Sequence, residues 1–108
     1  MSKRLQTHQP FLHLLARSGA KRRNYLLKQA TKEELASLFE ICLNILKGNI
    51  PLDTKTHNKF KRQKDLLRAL GNKRVSLKHK KKLVNQKGGF IGTLASIALP
   101  LLTGLLRK

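Results

Sequence analysis

Acidic residues are scarce in this chain: five, against 24 lysines and arginines, leaving a formal net charge of +19 over 108 residues. So lopsided a balance argues against cationic partners and points to a polyanion, either nucleic acid or an anionic membrane surface, without fixing any fold. Cysteine is nearly absent as well. With Cys42 alone, no intrachain disulfide or cysteine-rich zinc site can form, which fits a reducing compartment. The ordinary place for one free cysteine is the interior, as a small apolar residue. The histidines His8, His13, His57 and His79 have no cysteine partners and no helical spacing with carboxylates, so no metal site is expected. There is no tryptophan and one tyrosine, and Phe60 is the only ring between residues 54 and 89, which argues against a base-stacking platform for single strands. Nucleophile elbows, phosphate loops and paired carboxylates are missing too, so neither an enzyme nor a cofactor is expected. The opening MSKRLQTHQP has no apolar run of the secretory kind, and no export signal is expected there. No stretch alternates at period two and none repeats, leaving an all-α reading: a small domain of short helices with basic flexible segments and an apolar C-terminal helix or tail. At this length the core is modest.

Charge divides the chain unevenly. Residues 1–30 carry +7, residues 31–53 carry −2, residues 54–89 carry +12 and residues 90–108 carry +2. The organisation read from this is a basic segment over 1–30, a helical basic region over 31–89 and an apolar tail over 90–108. Pro10 predicts a helix start ahead of FLHLLAR, and KRRNYLLKQ predicts another short helix. The clearest element is TKEELASLFEICLNILKGN. Thr31 and Glu34 have capping-box spacing, Glu33 and Glu34 sit in the first turn, and Leu35, Leu38, Phe39, Cys42, Ile45 and Leu46 form one apolar stripe. Pro51 then turns the chain, Asp53 or Thr54 caps a helix predicted over about 55–70, and Ser76 caps a last basic one.

The run KHKKK at 78–82, with Lys73 and Arg74, concentrates positive charge on one short element. Contacts of this kind go to phosphates, release counterions and read little sequence, so duplex DNA is the expected partner. The residues expected to make them are Lys21, Arg22, Arg23, Lys61, Arg62, Lys73, Arg74, Lys78, Lys80, Lys81 and Lys82.

The tail FIGTLASIALPLLTGLL is uncharged and as a helix extends about 25 Å, the lower limit for crossing a bilayer core. Gly92, Pro100 and Gly104 weaken such a helix, so two placements stay open: a segment that touches membrane or partner through Phe90, Ile91, Leu94, Ile97, Leu101, Leu102 and Leu105, or a terminal helix folded onto the 35–46 stripe.

Between polycation and tail stands Gln86-Lys87-Gly88-Gly89, followed by Phe90. This arrangement resembles the precursor of adenovirus core protein X, the mu-type polycation, and the small basic virion proteins of adintoviruses and Polinton-like elements. The resemblance covers about the last 35 residues and implies a protein of the virion and the host nucleus. It also implies cutting by a viral cysteine protease after Gly89, with Gln86, Gly88, Gly89 and Phe90 as the recognised residues, and contact with capsid or other core proteins. The chain departs from that family in being lysine-rich rather than arginine-rich and in its patterned helix at 31–47, and residues 1–70 lie outside the resemblance. The expected function is a virion core or accessory protein that neutralises duplex DNA for packaging. A membrane-active basic protein and a cellular RNA- or ribosome-associated protein are the alternatives.

Overall fold

The computed structural model describes the backbone of residues 3–106 and the side chains of residues 3–97. Among them are eight helices and no strand: α1 (Lys3–Thr7), α2 (Gln9–Arg17), α3 (Ala20–Gln29), α4 (Lys32–Leu46), α5 (Thr54–Arg62), α6 (Lys64–Gly71), α7 (Leu77–Gln86) and α8 (Gly88–Leu106). The all-α reading holds. Local chemistry accounts for several boundaries. Both bonds of the capping box open α4: the Glu34 N–H donates to Thr31 Oγ1 at 3.1 Å, and the Thr31 N–H donates to Glu34 Oε1 at 2.9 Å. Gly48, at φ +74°, takes the left-handed conformation that follows the end of α4 and that side chains avoid. Asp53 caps α5 by accepting from the Thr56 N–H at 2.7 Å, and Ser76 caps α7 by accepting from the His79 N–H at 3.2 Å. The Thr56 bonds hold the Asp53 carboxyl below its ordinary pKa.

The helix predicted over 55–70 is broken. Gln63, at φ −106° and ψ 24°, separates α5 from α6. His8 between α1 and α2 and Lys87 between α7 and α8 have similar backbone angles, so three bends are made by single residues without a loop. Each bend re-aims an apolar face: Phe60 before Gln63 and Leu66, Leu67 and Leu70 after it are all buried.

One hydrophobic cluster draws on every part of the chain, from Leu5 of α1 through Leu12 and Leu15 of α2, Leu27 of α3 and Leu35, Leu38, Ile41 and Cys42 of α4 to Val84 of α7 and Ile91, Leu94 and Ala95 of α8. The basic segment 1–30 therefore contributes core helices. The first half of α8 also belongs to the core: it lies along α2 and meets α3, α4 and α7, while α4 packs against α6. Of the two placements open for the tail, the described part is packed, but chiefly along α2 and only secondarily on α4, which carries the 35–46 stripe. Among the described residues no helix is long and apolar enough to cross a membrane.

Candidate nucleic-acid interface

Every described lysine and arginine is exposed except Arg23, Lys80 and Lys81. Their positions follow from helix geometry, because the apolar residues of each short helix occupy one side and leave the cations outside. Lys21 and Arg22 are exposed on α3, Lys61 and Arg62 at the end of α5, Lys73 and Arg74 in the turn between α6 and α7, and Lys78 and Lys82 on α7. Lys81 is half-buried. The fold makes neighbours of α3 and α7 and of α6 and α7, so three of these groups sit on adjoining elements.

Two of the expected phosphate ligands face inward. Lys80 is only 6% exposed, and its Nζ lies 4.7 Å from the centre of the Phe39 ring, a cation–π contact. Burial pushes its ammonium below the ordinary lysine pKa, with the Cys42 sulfur opposing the shift. So little of Lys80 stands on the outer surface that the fold does not present it alongside the exposed cations. Arg23 is half-buried between α3 and α8. Its Nη1 donates to the Ser18 carbonyl at 3.1 Å, while its Nε is buried without a partner. Its side chain lies against α8 at Gly88 and Gly92. In exchange, the structure adds cations that adjacency in sequence did not flag. Lys55 and Lys59 stand at helical spacing with the already expected Arg62 on α5, as do Lys64 and Arg68 with each other on α6, and all are exposed. The signal that finds them is the helical period applied to cations rather than to apolar residues.

The carboxylates leave this field uncompensated because each has a local task. Glu34 and Asp53 are caps, and Asp65 sits in the first turn of α6. Glu33 and Glu40 lie 3.4 Å and 3.8 Å from the guanidinium of Arg4, in the two ion pairs formed between described residues.

The glycines between polycation and tail are helical, not extended. Gly88 and Gly89 form the first turn of α8; Gly88 is buried and Gly89 exposed. A Cβ on Gly88 would lie 2.6 Å from Asn24 Oδ1, and one on Gly92 would lie 2.9 Å from Arg23 Nη1 and 3.1 Å from Arg23 Cδ. The absence of side chains here thus lets α8 approach α3. A protease that needs an extended strand meets Gln86 and Gly89 at the surface but must unwind this turn to reach the peptide bond after Gly89. The residues expected to touch membrane or partner are largely spent inside the chain. Ile91 and Leu94 are fully buried, Ile97 packs against the core, and Phe90 meets Phe60 edge-to-face at 5.2 Å. The side chains of Leu101, Leu102 and Leu105 lie outside the described residues.

No protein family, curated protein or solved structure matches this chain.

Proposed function

We propose that the protein binds duplex DNA through its phosphates without reading base sequence, and that it neutralises the duplex for packaging in a virion core. The observation that carries this reading is the pairing of exposed cations on α3, α5, α6 and α7 with carboxylates that are all committed to caps, first turns or Arg4. Such a surface attracts phosphate by counterion release. With few exposed rings it has little means of stacking on unpaired bases, Tyr25 being the one aromatic residue in the open. The compartments that follow are the virion and the host nucleus, with removal of the tail after Gly89 as a later step requiring the start of α8 to open.

Binding of arbitrary short duplexes, followed by fluorescence anisotropy across a salt series, tests the proposal. Micromolar or tighter affinity at low salt is expected, with a logarithmic slope losing about 0.9 for each phosphate contact removed. Replacing Lys78, Lys81 and Lys82 by Gln flattens that slope, whereas Lys80→Gln leaves it unchanged. A wild-type slope near zero, or strong preference for one sequence, overturns the reading.

A further inference from the structure

Cations from three separate parts of the chain line one half-open cleft of about 290 Å³: Arg4 of α1, Lys73 of the turn between α6 and α7, and Lys80 of α7. Phe39, Glu40 and Leu43 of α4 form its opposite wall. The end of α6 lies against α4 there: a Cβ on Gly71 would stand in ordinary van der Waals contact, 3.6 Å from the Leu43 backbone. The size falls at the lower end of small-molecule pockets. Lys80 is the feature that sets the cleft apart. It is more than nine-tenths buried, and among the described residues it makes no hydrogen bond or ion pair, resting only against the Phe39 ring. Its ammonium has no protein acceptor among the described residues and opens onto the half-open cleft, where an anion can reach it. Arg4, by contrast, is held at the rim by Glu33 and Glu40. The cleft therefore has one fixed guanidinium, one exposed ammonium and one recessed ammonium without a protein acceptor.

We propose that this cleft binds the phosphate group of a small phosphomonoester, with Lys80 as the buried donor and Arg4 and Lys73 closing on the anion from the rim. A monoester phosphate brings a charge of about −1.5 to −2 and three acceptor oxygens to a single point, which suits three converging donors. Phosphodiesters of a duplex carry one charge each and are flanked by sugars on both sides, so they suit the exposed lysines outside rather than a recessed ammonium. Phe39 and Leu43 give the organic part of the ligand an apolar wall. The site shares Lys73 with the packaging surface but no other cation of that set once Lys80 is assigned to the cleft, and neither reading requires the other.

Calorimetric titration of the full chain with AMP, inorganic phosphate and adenosine, in about 0.15 M KCl to screen exposed charge, tests it. Saturable one-site binding is expected for AMP and for inorganic phosphate and none for adenosine. Lys80→Met weakens AMP by about tenfold or more, and Lys73→Gln weakens it severalfold. Lys82→Gln, exposed on the same helix, leaves AMP binding unchanged. Binding that never saturates, equal weakening in Lys82→Gln, or full affinity in Lys80→Met overturns the proposal. Should Lys80→Met fail to fold, undiminished affinity in Lys73→Gln overturns it alone. Duplex affinity measured on the same proteins separates the two surfaces. Lys80→Met should keep it, and a parallel loss of AMP and duplex binding would assign this lysine to the duplex and remove the small-ligand site.

Discussion

Cys42 and Lys80 show how much a single buried position can differ from its appearance in the sequence. Both sit at the interior contact between α4 and α7, with burial as the dominant influence on each. For Cys42, burial pushes the thiol up to about 12 from an ordinary value of 9.0, against the lowering influences of its backbone hydrogen bond and the Lys80 charge. The folded chain then keeps this proton under conditions where the unfolded chain gives it up. Stability from this group is fully present below pH 9 and falls as pH rises toward 12, by roughly 1.4 kcal/mol at pH 10. Urea midpoints measured from pH 8 to 10 should therefore drop more steeply for the wild type than for Cys42→Ala, whose starting stability is lower. Parallel slopes would place the thiol in contact with water. Lys80 was legible in a different way. KHKKK reads as uniformly cationic, yet Leu77, Lys80 and Val84 fall at helical spacing on one side of α7, with Val84 fully buried and Leu77 packed on the core. A long aliphatic stem can fill such a position, with only the ammonium in conflict.

At the scale of elements, what sequence made visible was what neighbouring residues determine. The capping box at Thr31 and Glu34, the caps at Asp53 and Ser76 and the glycine after α4 all act within four residues, and each stands where its chemistry put it. The single-residue bend at Gln63 escaped because no proline or glycine marks it, whereas those at His8 and Lys87 stand beside Pro10 and Gly88 and only their sharpness went unread. The two glycines at the start of α8 illustrate the same limit. Read locally they suggest an extendable segment, whereas the need for glycine at Gly88 comes from Arg23 and Asn24, more than 60 residues earlier in the chain, and Gly89 meets nothing. This separates the glycines experimentally. Nothing stands within 4 Å of a Cβ on Gly89, so Gly89→Ala gains helix propensity and should raise stability by about 0.5 kcal/mol. Gly92→Ala offers the same propensity but drives a methyl into the Arg23 side chain, displacing it from the Ser18 carbonyl and from its place beneath α8. It should be neutral to destabilising by about 1 kcal/mol. Thermal unfolding of the two variants side by side checks this, and equal shifts would mean that α8 does not lean on α3 at Gly92.

For the whole molecule, charge and core are divided between different parts of the same helices, and this makes the apolar end of the chain structural before it is anything else. Residues 90–108 carry only two of the 24 cations, so a chain ending at Gly89 keeps a net charge of +17. It loses far more of the interior, since Ile91, Leu94 and Ala95 are fully buried, and the Phe90 ring is the edge-to-face partner of Phe60. Burying an Ile or Leu side chain contributes about 1.5–3 kcal/mol, so losing these two alone removes roughly 3–6 kcal/mol, comparable with the entire stability of a small domain. Residues 1–89 should therefore show a thermal transition that is greatly lowered or absent, together with rapid proteolysis around α2, whose apolar side α8 covers in the full chain. Duplex affinity at low salt should stay within a few-fold of the full chain, because the counterions released depend on cations that remain. In the presence of duplex the shortened chain should regain protease resistance, binding supplying the stabilisation that α8 supplied before. If residues 1–89 unfold at the same temperature as the full chain, α8 is not part of the core in solution. If they lose duplex affinity with their stability, the cations bind DNA only when the helices hold them in place, and the electrostatic surface is a property of the fold rather than of composition.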